Sequence, residues 1–302
     1  MTASALTPGT PEWRRVVTAS KVAAILGVSP YESPRSLWHL MRGDVVPPSE
    51  ATAVQSRGHY LEPAIIAWWR DRHPEYTTVT TGEYIQRPDL PWAGVNLDAV
   101  AHGVSEGVPT AVVEAKSSDK DDEWGTPGTD EIPAYYAAQV IWAMHILGAR
   151  IAYVPIITSH LEFREYVVHY DAELAADIEA RCAEFYASLA ADAPPPLDDH
   201  VATYESLRRI HPDIEDGTEV ELDPATAREF VEATRDLKAA TARATGAKSA
   251  LLDALGRSKR AVCGGQVIAQ RQNTAAGVPA LYPARKAVDL DALPAAIKGA
   301  AA

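Results

Sequence analysis

Apolar positions recur along the chain with two periods, and the switches between them mark out the elements. Val22, Ile25 and Leu26 follow Thr18 and Ser20, either of which suits a helix cap, and Gly27 stops the run, so a helix is predicted there. Ser29 to Pro34 reads as a turn, and a second helix starts at Ser36 with Leu37, Trp38 and Leu40 as core. A third helix spans 57–69 by the spacing of Leu61, Ile65, Ile66 and Trp69. Within it Glu62 precedes Pro63, so either the helix begins near Glu62 or it is kinked there. Strand-like segments follow at 77–86, 92–100 and 111–115. The polar, Gly- and Pro-bearing stretch 117–131 is a long loop, read either as a flap over a site or as an acidic surface loop. A helix opening at Ile132-Pro133 and ending at Gly148 comes next. Strands at 151–158 and 163–168 and an alanine-rich helix at 172–191 complete this part.

Ala193-Pro-Pro-Pro-Leu-Asp-Asp199 is the clearest boundary, dividing the chain into 1–200 and 201–302. Beyond it, Pro224 to about Leu255 has high helix propensity with a break expected near Thr245-Gly246, as a helical hairpin or one long helix. Gly264-Gly265 between β-branched residues predicts a small β-hairpin at 262–270. The leader and the tail after Ala275 read as loosely ordered.

Composition narrows the class. A chain of 302 residues with 47% hydrophobic residues can bury a sizeable core. Its two cysteines, Cys182 and Cys263, stand far apart without ligand spacing, which argues against a disulfide framework or a zinc site. Neither a signal-peptide pattern nor an apolar run of membrane-spanning length is present, so a cytoplasmic protein without membrane association is expected. The net charge of −13 argues against an indiscriminate nucleic-acid binder. Residues 1–200 hold 14 Lys/Arg against 28 Asp/Glu, while 201–302 hold 14 against 13. Any polyanion must therefore be met by basic residues gathered locally, with metal ions offsetting acids at the site.

Candidate chemistry concentrates in Val95-Asn-Leu-Asp98 and Thr110-Ala-Val-Val-Glu-Ala-Lys116. Glu114 and Lys116 alternate along one strand and so share a face. If the preceding segment pairs with it, Asp98 joins them. Two close carboxylates suit a hard cation such as Mg²⁺, and a neighbouring lysine can hold a water or a phosphate. Taken alone, such a trio is more often a solvated face or a surface ion pair. Gln139 lies three residues after Tyr136 and four after Tyr135, which places the three on one helix face. Arg14 and Arg15 upstream of a helix start bearing Ser20 make an anion site or, in the plainer reading, a capped helix.

Together these segments resemble the YqaJ-like viral recombinases, close to the lambda exonuclease type, in the PD-(D/E)xK nuclease superfamily. The resemblance covers about residues 12–200. It rests on Thr18-Ala-Ser20 through Gly27 with Ser29-Pro-Tyr31, on Gly58 with Leu61-Glu62-Pro63, on Asp98, on Glu114-Ala-Lys116, and on Gly128 to Pro133 with Tyr136 and Gln139-Val140. It implies an α/β (α+β) fold with a mixed central sheet flanked by helices, followed by a helical extension and a small hairpin. Asp98, Glu114 and the Ala115 carbonyl would bind Mg²⁺ or Mn²⁺, as a pair of ions. Lys116 would position or activate the attacking water, with Glu62 and Gln139 assisting. Ser20 and an arginine would seat a 5′-phosphate; matching Arg14 or Arg15 to that arginine needs a one-residue gap, so both stay candidates. Asn96-Leu-Asp98 departs from the commoner proline-bearing element. The implied activity is 5′-to-3′ resection of linear duplex ends, leaving 3′ single strands for a RecT-like annealing protein, by a ring-like homo-oligomer in a bacterial or phage-infected cytosol. A related endonuclease, a Cas4-like end processor and an inactive DNA- or partner-binding member remain alternatives. Residues 201–302 fall outside the motifs and suit oligomerisation, partner docking or DNA guidance.

Overall fold

A computed structural model describes residues 6, 10–46, 52–105, 107–275, 277–284 and 286–294. Most of the leader and the terminal run from 295 onward therefore lie outside the described residues. The chain forms two compact units, Met1–Ile214 and Glu215–Ala302.

The first unit is built on a mixed sheet. β1 (Tyr76–Gln86), β2 (Gly94–Gly103) and β3 (Ala111–Val113) run antiparallel to one another in turn. β3 then lies parallel to β5 (Ile151–Ile157), whose far edge carries antiparallel β6 (Phe163–His169). The two-residue β4 (Lys116–Ser117) also pairs with β5, and in the same register as β3: Val113 faces Tyr153 and Lys116 faces Ile156. β3 and β4 are thus one line of chain interrupted at Glu114-Ala115. The parallel step requires a crossover, supplied by α5 (Ala134–Leu147), which starts after Pro133 and ends at Gly148 in the left-handed conformation.

Side chains alternate across this sheet, and each face has its own cover. Val100, Val112, Ala152, Val154 and Ile156 join the larger core with α5, α2 (Ala19–Ile25), α3 (Pro34–Arg42) and α6 (Ala172–Ala190). Ala99, Ala101, Ala111, Val113 and Tyr153 face α4 (Ala53–Arg72) through Ile66 and Trp69. Because both faces are buried, the central segments read as apolar runs. Cys182 is buried in α6, and burial pushes its thiol up to about 12, leaving it an inert packing group.

Several expectations change. Pro63 lies inside the twenty-residue α4, so Glu62 is a mid-helix residue and not a first-turn one. The strand expected at 92–100 forms as β2 and runs on to Gly103, with Asp98 in its middle. The 117–131 loop is pinned: Trp124 is buried against Tyr136 and Tyr166, Gly125 N–H donates to Glu131 O at 2.8 Å, and Gly128 N–H donates to Glu165 O at 2.8 Å. After the proline-rich stretch, α7 (Val201–Ile210) packs back on α3, where Ser33 and Thr203 hydroxyls lie 2.6 Å apart.

In the second unit, α8 (Pro224–Leu255) is one uninterrupted helix, without the break expected at Gly246. The hairpin forms as β7 (Arg260–Cys263) and β8 (Gln266–Gln272), its turn residues Gly264 and Gly265 both at positive φ. Within the stretch expected to be loose, Ala280–Pro283 adds a third strand, β9, to β8. No helix among the described residues is long and apolar enough to cross a membrane.

One buried charge in the first unit is structural. Lys21 donates to the carbonyls of Trp13, Arg14 and Val16 at 2.6–3.0 Å, closing the short helix α1 (Pro11–Arg14). Burial and the neighbouring Arg14 guanidinium lower Lys21 from 10.5 to about 7. A folded-state value below the ordinary one makes stability rise with pH across that window, the cost being complete below about 7. The wild type should therefore gain in Tm relative to Lys21→Met between pH 7 and pH 10. A difference that stays flat over that range would remove Lys21 as its source.

Candidate active site

Ala99 pairs with Val113, so continuing the β2–β3 register by one residue sets Asp98 opposite Glu114. At that point the ladder changes. Asp98 Oδ2 accepts the N–H of Ala115 at 2.9 Å, and a side chain replaces the strand partner at the break between β3 and β4. By alternation Asp98, Glu114 and Lys116 share the face covered by α5. Lys116 Nζ lies 2.5 Å from Glu114 Oε1, and Gln139 Nε2 donates to the same oxygen at 2.5 Å. The Lys116 ammonium also lies over the ring of Tyr136, 4.9 Å from its centroid.

Electrostatics bind the group together. Glu114 is buried and Lys116 partly so. Asp98 is raised well above the ordinary aspartate value by burial first and by the Glu114 charge second. Glu62, half-buried on α4, is raised by burial and by Glu114. Burial alone would lower Lys116. The Glu114 and Asp98 charges and the Glu114 hydrogen bond outweigh it and hold the lysine above its usual value. Three carboxylates are thus crowded around a single ammonium.

That excess of negative charge and the all-oxygen donor set fit a hard divalent cation. Among the described residues no three His, Cys, Asp or Glu side chains come together as a cage. The donors are a cross-strand carboxylate pair at a point where the ladder is interrupted. Mg²⁺ commonly completes such a set with water and substrate oxygens.

Ser20, Arg14 and Arg15 lie at the α1–α2 corner. Ser20 is exposed, its hydroxyl 3.3 Å from that of Thr18, which caps α2 without a side-chain hydrogen bond. Arg15 is exposed, whereas Arg14 is half-buried with its Nε enclosed and unpartnered among the described residues. The corner is tied to β2 by Trp13 Nε1 donating to Asn96 Oδ1 at 2.8 Å. Asn96 is two residues from Asp98 and on the same face. Sequence reading did not find this tie, nor the roles of Lys21 and Tyr136. The only available signal was the alternation of Asn96 with Asp98.

A mixed sheet whose interrupted strand carries a carboxylate–lysine cluster places the first unit in a definite class of α/β domain. Residues 12–150 match the model of the YqaJ-like viral recombinase domain. Among solved structures, the chain is similar to an alkaline exonuclease (LHK-Exo) from Laribacter hongkongensis, at 22% identity and TM-score 0.47, covering 61% of this chain and 94% of that one. It is also similar to a phage related exonuclease from Haemophilus somnus 129PT, at 13% identity and TM-score 0.44, covering 59% and 96%. No curated protein matches the chain.

Replacing Asp98 by asparagine keeps an acceptor for the Ala115 N–H while removing a buried charge that faces Glu114. The raised aspartate costs stability only where it is ionised, above its folded-state value. Asp98→Asn should accordingly raise Tm by a few degrees near pH 8, and the gain should vanish as pH falls toward 4. Thermal unfolding at both pH values checks this; a loss of Tm at pH 8 would show that Asp98 is not under that stress.

Proposed function

We propose that the first unit is a metal-dependent deoxyribonuclease that resects linear duplex ends from the 5′ side. The observation that carries this reading is the convergence of Lys116 and Gln139 on one Glu114 oxygen, with Asp98 across the strand pair and Glu62 close enough to feel both acids. Asp98, Glu114 and the Ala115 carbonyl are the groups that would hold Mg²⁺ or Mn²⁺. When bound, the ions supply Lewis acidity and positive charge for in-line displacement at phosphorus.

The protein's own groups do the rest. Lys116, kept protonated by its acidic neighbours, acts as a fixed positive charge where negative charge develops, and it orients a water more readily than it deprotonates one. Gln139 fixes the orientation of Glu114, and Tyr136 fixes Lys116. Glu62 accepts hydrogen bonds from water at the rim. At the α1–α2 corner, Ser20 and Arg14 seat the terminal 5′-phosphate. Arg14 is preferred over Arg15 because its Nε is enclosed and has no partner among the described residues, whereas Arg15 points to solvent. A 3′ single strand produced this way would pass to a RecT-like annealing protein in the cytosol, and a ring-like homo-oligomer would hold the duplex.

With Mg²⁺ or Mn²⁺ the protein should degrade 5′-phosphorylated linear duplex and spare covalently closed circles. End-labelled substrates read the direction, and intact linear DNA in both metals would defeat the proposal. Lys116→Ala should lower the cleavage rate by about 10²–10³-fold, the scale of a lost transition-state charge contact. Metal-free duplex affinity should change little. Arg14→Gln should abolish the preference for a 5′-phosphate over a 5′-hydroxyl end, while Arg15→Gln should keep it. The reverse pattern would reassign the pocket.

A further inference from the structure

The second unit contains a stretch whose charge runs against the rest of the chain. From Gly256 to Val288 the sequence has six basic residues, Arg257, Lys259, Arg260, Arg271, Arg285 and Lys286, and no Asp or Glu, in a chain of net charge −13. This stretch is the three-stranded sheet β7–β8–β9 with its flanking turns.

Arg285 lies outside the described residues, and the fold distributes the other five cations over both faces of the sheet. Arg260 pairs with Gln270, and Gln270 with Tyr282, so one face presents the three in a row across the strands. A cavity of about 380 Å³ on that side is lined by Arg260, Gln266, Gln270 and Lys286 among its polar residues. Arg271 N–H donates to Lys259 O at 2.8 Å, extending the ladder and putting Lys259 and Arg271 on the other face. There a second cavity, of about 530 Å³, is lined by Arg257, Ser258, Lys259, Arg271, Gln272 and Asn273 together with Pro279. Among the described residues no carboxylate lines either cavity.

These cations are also uncommitted. Arg257, Lys259, Arg260 and Lys286 are exposed, and neither they nor Arg271 form an ion pair with any described residue. Only Arg271 is engaged, its guanidinium donating to the Gly256 carbonyl at the end of α8. Asp289, the first acid to return, has its carboxylate occupied by the N–H groups of Asp291 and Ala292. In the first unit Arg42, Arg87, Lys116, Lys120, Arg164 and Arg208 contact carboxylates while the other lysines and arginines form no ion pair among the described residues, so what sets this stretch apart is that it holds no acid at all.

We infer that the β7–β9 sheet is a nucleic-acid-holding element, gripping the phosphate backbone through Arg257 and Lys259 on one face, with Gln272 and Asn273 as uncharged donors beside them, and through Arg260 and Lys286 on the other, beside Gln270. Exposed cations separated by amides and lacking acids match a polyanion whose charges repeat at short intervals. An acidic protein would be met more favourably by cations set among apolar anchors, and the polar residues lining the second cavity do not supply them. The identity of the polyanion as DNA rests on the nuclease reading; the existence of the surface does not.

The test uses the full chain in EDTA, so that binding is measured without cleavage, on a 5′-phosphorylated linear duplex and on its separated single strand. The combined variant Arg257→Gln, Lys259→Gln, Arg260→Gln should weaken binding at least tenfold near 0.1 M salt. It should also flatten the dependence of log K on log salt by about 0.9 for each phosphate contact removed from a duplex. The charge-keeping variant Arg257→Lys, Arg260→Lys should retain most of both. A loss on the duplex assigns the surface to substrate, and a loss on the single strand assigns it to the released product; either supports the proposal. Unchanged affinity and slope in a folded glutamine variant would overturn it, as would displacement of the DNA by polyglutamate as effectively, charge for charge, as by unlabelled duplex. Cleavage is read separately in Mg²⁺. An inactive wild type that still loses DNA on glutamine substitution would refute the nuclease and leave this surface standing.

Discussion

The first unit depends on a single interruption in a buried ladder. Between Val113 and Lys116 the chain stays in register with β5, yet on the β2 side the Ala115 N–H is taken by the Asp98 carboxylate. A buried backbone donor left unpaired would cost on the order of 1–3 kcal/mol, so the aspartate side chain has a structural task besides the chemical one proposed for it. The same bond draws Asp98 toward Glu114, and the repulsion this creates is met only partly by Lys116. The cluster is therefore held together by backbone geometry against its own electrostatics. Strain of that sort is retained at sites where a cation or a substrate relieves it.

The surrounding elements answer to this break. α5 brings Gln139 onto the Oε1 atom of Glu114 and Tyr136 onto the flank of Lys116 because it is the crossover that joins β4 to β5. The anchored 117–131 segment bridges the same two elements, and Trp124 buries its middle between α5 and β6. Glu62 comes from the middle of α4, where Pro63 removes the N–H that would otherwise bond to the His59 carbonyl.

Much of this was legible in the primary structure because it follows from local periodicity. The run Ala111 to Val113 with acid and lysine at alternate positions after it determines which side chains meet, whatever the neighbouring strands do. The spacing of Tyr136 and Gln139 likewise determines a shared helix face. Contacts that join distant residues through shape were not legible: Trp13 to Asn96, Lys21 folded under the carbonyls of α1, and Ser33 against Thr203. Strand length was underread as well, since His102 and Gly103 break the apolar pattern after Val100 although β2 runs on to Gly103. Gly246 looked like a helix stop, yet α8 passes through because alanines and long-chain residues on either side favour the helix by more than one glycine disfavours it. β9 is short and flanked by prolines, so its pattern was too brief to separate from a loop.

The charge balance follows from the same constraints. A site that crowds three carboxylates cannot by itself attract a polyanion, and the lysine nearest the proposed phosphate corner cannot help, because Lys21 is spent on helix carbonyls and lowered to about 7 by its burial. In the first 200 residues acids outnumber basic residues 28 to 14, so the cations there sit in a net negative field. Long-range attraction for a phosphate chain must then come either from bound metal, which acts only within a short distance of Asp98 and Glu114, or from cations elsewhere in the sequence that have no acidic neighbours. The stretch after α8 is where such cations are found. On the proposed reading, rate and affinity are separable properties, the first assigned to the interrupted strand and the second to the acid-free sheet.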